Sequence, residues 1–187
     1  MHRSARALVL VEGASDRAAL LALAARQGRD LEDEQVDIVD LGGATNVGRF
    51  LEDLASEGRR PRLAGMYDAP EERYFRRGLE RGGHGPVPDR ARLEELGFFA
   101  CEPDLEGELI RALGTSVVEG VIEEQGELSS WHILQRQPAQ LSRSVEDQLH
   151  RFLGTRSGRK ETYARLLVEA LDPDRLPPPL DAVLRQV

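Results

Sequence analysis

Residues 8–16, LVLVEGASD, decide the fold. Together with Ala7, the residues Leu8 to Val11 form an unbroken apolar run, short enough for a strand covered on both faces. Gly13 then allows a tight turn, and Ser15 or Asp16 is placed to cap a helix running to about Arg26, with Ala18, Leu21 and Ala25 on one face. Glu12 is the odd member of this strand, turn and helix. It precedes the cap rather than lying in the first helical turn, and it follows a strand with no polar face, so a merely solvated role does not suit it.

The same unit recurs along the chain. VDIVDL (36–41) reads as a second strand, broken by GGATN and followed by a helix in VGRFLEDLASEG with Val47, Phe50, Leu51 and Leu54 facing inward. RLAGMYD is a third strand that ends on Asp68. A helix containing EERYFRRGLER follows, then a Gly- and Pro-bearing loop, GGHGPVPD. GFFACEP is a fourth strand, and DLEGELIRALG begins a helix with acidic residues in its first turn, where the helix dipole favours them. Strands alternating with helices at this spacing predict an α/β fold, a parallel sheet of about four strands with helices on both faces. From about residue 116 the strands stop. TSVVEGVIEEQG, SVEDQLHRFLG, KETYARLLVEALD and a proline-started LPPPLDAVLRQV all read as helices. The expected organisation is an α/β core over 1–115 and a helical extension over 116–187 packed on it, with no internal repeat.

Composition limits the function classes. With 187 residues, 40% hydrophobic and 31% charged, the chain is an ordinary globular one, and its longest apolar runs fall far short of a membrane span. No basic start leads into an apolar stretch and a cleavage site, so a cytoplasmic protein with no membrane partner is expected. A single cysteine excludes an internal disulfide and a cysteine-rich zinc site. The net charge of −8 argues against coating nucleic acid with a broad basic face, but not against an enzyme whose clustered carboxylates hold cations. Of the 25 basic residues only Lys160 is lysine, which reads either as an accidental surface residue or as a position where a guanidinium would not serve.

In an open parallel sheet, ligands gather at the carboxyl ends of the strands. Glu12 closes the first strand and Asp68 the third, while Glu102, Asp104 and Glu106 follow the fourth, so acids far apart in sequence should meet on one rim. Their mutual repulsion is relieved by a cation, and all-oxygen ligands suit Mg²⁺ or Mn²⁺. Each acid taken alone also fits an idle helix-start residue. Other chemistries find little support. The sequence has no G-x-x-x-x-G-K-[ST], no G-x-G-x-x-G after the first strand, no G-x-S-x-G and no H-E-x-x-H. His84, His132 and His150 lack ligand spacing and read as surface or core histidines, and Trp131 and Tyr163 read as packing residues.

The pattern VEGASD, followed by a strand ending in Asp68, resembles the Toprim domain of topoisomerases, primases, recombination proteins and the overcoming-lysogenization-defect (OLD) nucleases. It is most similar to the last group, in LVEGASDRAAL, in LGGATN, in DLEGEL, and in the tail from GRKETYARLL onward. The resemblance implies a Toprim-like parallel sheet and Mg²⁺- or Mn²⁺-dependent cleavage of nucleic acid phosphodiesters, DNA rather than RNA. It implies metal-ligand roles for Glu12, Asp16, Asp68 and Glu106. Glu12 would also move protons, and Lys160 would stabilise the transition state. Where the family's D-x-D has its second aspartate this chain has Pro70, and Glu71 and Glu72 are the nearest substitutes. In the nuclease group the domain follows an ATPase module, so a free-standing domain is expected that either works alone or meets a separate ATPase chain as partner. A second reading is a degenerate, non-catalytic module that binds metal weakly and acts through such a partner. Small-nucleotide hydrolysis or nucleotidyl transfer would use the same residues.

Overall fold

The computed structural model describes residues 5–155 and 158–187. Four strands, β1 (Ala7–Val11), β2 (Val36–Asp40), β3 (Arg62–Asp68) and β4 (Phe98–Cys101), form one parallel sheet in the order β2-β1-β3-β4. All four fall where the apolar runs predict. All five residues of β1 are buried. Alternate side chains of β1 enter two different cores, as the two-residue period of a strand requires. Leu8 and Leu10 pack with α2 (Val47–Ser56), α3 (Glu72–Arg81) and α4 (Arg90–Glu95). Val9 and Val11 pack with α1 (Ala14–Arg26), α5 (Leu105–Leu113) and the helices that follow.

The later helices are α6 (Thr115–Glu124), α7 (Leu128–Gln135), α8 (Val145–Leu153), α9 (Arg159–Ala170) and α10 (Pro178–Arg185). Their apolar faces join the Val9 core, and α10 lies against β3 and β4. Trp131 is buried edge-on to Phe152, the packing role read from the sequence. No helix among the described residues is long and apolar enough to cross a membrane.

One boundary differs from the sequence reading, and two helices go beyond it. α1 starts at Ala14, ahead of the Ser15 or Asp16 expected as cap, because Asp16 reaches back from the first turn and accepts the Gly13 N–H at 2.9 Å. α4 and α7 are short helices within stretches assigned no element. α4 is capped by Asp89, whose carboxylate accepts the Arg92 N–H at 3.0 Å.

α9 lies along α1, and this pairing sets the position of Lys160. Arg26 at the end of α1 donates to the carbonyls of Val168 and Leu171, filling acceptors at the carboxyl end of α9. Both helices therefore point the same way, with their amino termini at the carboxyl end of the sheet.

Candidate metal centre

The rim begins as a set of ties between strand ends. The Glu12 carbonyl accepts the Gly43 N–H at 2.8 Å, and the Glu12 carboxylate Oε1 accepts the Asp68 N–H at 2.8 Å. Pro103 O accepts the Ala69 N–H at 3.0 Å. The GGATN break supplies the backbone for the first tie, since Gly42 and Gly43 stand at φ of +66° and +118°, where a side chain would be strained. Glu12 thus joins the end of β1 to that of β3, a partner that a solvated surface acid would lack.

Around this frame the structure gathers Glu12, Asp16, Asp68 and Glu106 with Lys160, all five residues singled out from the sequence. Burial dominates the pKa shift of Asp68, pushed up to about 8, and the charges of Glu12, Asp16, Asp104 and Glu106 raise it further. Burial likewise lifts Asp16 to about 7, with Glu12 and Glu106 adding to it against the Gly13 amide and Lys160. Glu12 is raised by burial and by the charge of Glu71, with the Asp68 amide opposing. These carboxylates are held closer, and drier, than their charges favour.

Glu106 is 5% exposed. Its Oε2 accepts from Lys160 Nζ at 3.1 Å, while Oε1 is buried with no hydrogen-bond partner among the described residues. Lys160 is half-exposed; desolvation opposes its charge, but Glu106 and then Asp104 and Asp68 keep its pKa raised. The helix terminus carrying it is pinned by its neighbour. Arg159 is buried and donates to Phe152 O at 3.1 Å, to Thr155 Oγ1 at 2.5 Å and to Glu127 at 2.8 Å. Tyr163 donates to the same Glu127 at 2.8 Å.

His150 is part-exposed, and the structure adds a partner that the sequence reading did not foresee. Its Nε2 lies 2.5 Å from Asp104 Oδ2, and that hydrogen bond is the largest influence raising the imidazole pKa. Asp104 caps α5 through the Gly107 N–H at 2.9 Å. Desolvation would raise its pKa, but the His150 bond and the Gly107 amide together hold it low. One ligand atom from each of Asp104, Glu106 and His150 falls within 4.8 Å of the others, a grouping that could hold a cation. No local motif announces His150, which reaches the rim from α8, 46 residues from Asp104.

The two substitutes for the missing D-x-D oxygen separate. Glu72 is held by Arg90 at 3.0 Å and faces Arg76 at 3.7 Å, so it is engaged away from the rim. Glu71 bears electrostatically on Glu12. Pro70 itself is exposed within the 3₁₀ turn Ala69–Glu71.

The model of the overcoming lysogenization defect protein-like TOPRIM domain matches residues 5–60, which contain Glu12, Asp16 and the Gly42–Gly43 pair. The C-terminal region of the Xanthomonas campestris pv. campestris OLD protein superposes with a TM-score of 0.74 at 23% identity, over 98% of this chain and 92% of that one. The chain shares the fold of this OLD region. The C-terminal region of the Burkholderia pseudomallei OLD protein agrees, with a TM-score of 0.70 at 20% identity over 97% of this chain and 96% of that one. No curated protein matches by sequence. The acidic cluster occupies the carboxyl edge of the sheet, where the amino termini of α1, α5 and α9 add positive potential that favours anions.

Proposed function

We propose that this Toprim domain hydrolyses nucleic acid phosphodiesters with Mg²⁺ or Mn²⁺, as a nuclease acting on DNA. The observation that carries the reading is Glu106 Oε1, a buried carboxylate oxygen without a partner, set among acids whose pKa values burial and mutual repulsion raise. An orphaned anionic oxygen in such a place is costly unless a cation completes it. The donor set fits: carboxylate oxygens with one imidazole nitrogen suit Mn²⁺ and, for the oxygens alone, Mg²⁺. Glu106, Asp68, Asp16 and Glu12 are the proposed ligands, with Asp104 and His150 able to extend the set.

When bound, the cation polarises the phosphate and lowers the pKa of an attacking water. The chain supplies the rest. Lys160 Nζ, turned from Glu106 toward the substrate, offsets charge on a phosphoryl oxygen. Glu12 has Oε1 fixed by the Asp68 amide, and its raised pKa suits Oε2 to take a proton from the attacking water. An ATPase chain as partner belongs to the same proposal and follows from the family resemblance. Pro70 favours a second reading, a metal-binding module without catalysis.

The test is cleavage of supercoiled plasmid and of labelled single strands with Mn²⁺, comparing the wild type with Lys160→Ala. Metal-dependent cleavage by the wild type, lost in the variant, is expected. Equal cleavage by both overturns the role of Lys160, and no cleavage by either favours the module.

A further inference from the structure

A groove of about 490 Å³ opens beside His150, between α5 and the start of α8. We propose that this groove seats an unpaired nucleobase adjoining the scissile phosphate, and that Glu146 and Asp147 select guanine there. The inference rests on the nuclease reading and names part of its substrate.

The shape comes from residues without bulk. Gly107 lets the helix approach Pro103, where an added Cβ would stand 2.7 Å from the proline Cδ. Pro103 and Ile110 line the groove with apolar surface suited to a flat ring. Arg111 and His150 are the basic residues in the lining among the described residues, and His150 is bound to Asp104. The Arg111 guanidinium is committed to Glu108 at 2.9 Å and to the Glu102 carbonyl, so it offers a planar face more readily than a phosphate contact.

The charge on the opposite wall decides the occupant. Glu146 and Asp147 are exposed in the first turn of α8, and among the described residues neither has an ion-pair partner. Two carboxylates repel a phosphate backbone but accept hydrogen bonds from a base. On its open Watson–Crick edge guanine presents N1–H and N2–H₂ side by side, matched by the two oxygens of a carboxylate. Thymine presents one N–H between two carbonyl oxygens. Because His150 belongs both to this lining and to the metal-ligand group, a base in the groove is next to the phosphate at the rim.

The test uses the whole chain and two readouts. Affinity in Ca²⁺ is compared for an all-thymine pentanucleotide and for one with a central guanine, and cleavage of the same strands is followed in Mn²⁺. Guanine is expected to tighten binding at least about fivefold in the wild type, and less than about twofold in Glu146→Gln/Asp147→Asn. Equal binding of the two strands by the wild type, or an undiminished guanine preference in the double variant, overturns the proposal. Guanine preference without cleavage upholds the groove and removes the nuclease reading. Cleavage without preference does the reverse.

Discussion

Arg159 and Lys160 are consecutive on α9, and each pairs with a glutamate from another element, yet the two pairs are built to opposite rules. The Arg159 side chain is 5% exposed, and three acceptors take its donors while Glu127 also accepts from Tyr163. The Lys160 side chain is 48% exposed and the Glu106 side chain 6%, and Glu106 Oε1 has no partner among the described residues. A helix turns by about 100° per residue, so one side chain enters the core and the next reaches the rim. The first pair is satisfied and holds the helix in place. The second is left incomplete among like charges, as a site awaiting a ligand would be.

That contrast can be broken by substitution. The largest effect is expected at the incomplete pair: Lys160→Ala or Glu12→Gln lowers metal-dependent cleavage by at least about 100-fold with little change in urea unfolding. The satisfied pair should behave in the opposite sense. Arg159→Met removes the buried guanidinium that joins Phe152, Thr155 and Glu127 and is expected to cost about 3 kcal/mol in urea unfolding, with any loss of cleavage following from the displaced amino terminus of α9. If Arg159→Met leaves stability unchanged, the pinning role fails.

A smaller effect sharpens the comparison through pH. Asp16 and Asp68 are pushed up to about 7 and about 8 in the folded state, both above the ordinary aspartate value of 3.8. Between those limits the folded state binds more protons than the unfolded state, so stability of the metal-free protein falls as pH rises from about 4 through 8. Asp68→Asn should flatten that fall, and thermal melting across pH in EDTA measures it. The smallest effect concerns the missing aspartate. Glu71→Gln should weaken Mn²⁺ affinity by a few-fold in a calorimetric titration, whereas Glu72→Gln, engaged with Arg90, should not.

Much of the fold was legible because its signals are local. ALVLV and RLAGMYD needed no long-range information to be read as strands, and the strand-end rule then pointed to Glu12 and Asp68. Short elements were not legible. α4 has six residues and α7 buries only Trp131 and Leu134, too little periodicity to stand out from their surroundings. The acids and Lys160 drew attention by position, by rarity and by resemblance. His150 has none of these marks. Its place follows from how α8 packs on α5, a contact between distant segments that no spacing encodes.

The most direct test of the central claim, that the incomplete pair is half of a metal centre, is a calorimetric Mn²⁺ titration of the wild type, Glu106→Gln and Glu127→Gln. Saturable binding that Glu106→Gln abolishes and Glu127→Gln retains is the predicted result. Equal Mn²⁺ binding by the wild type and Glu106→Gln would contradict it.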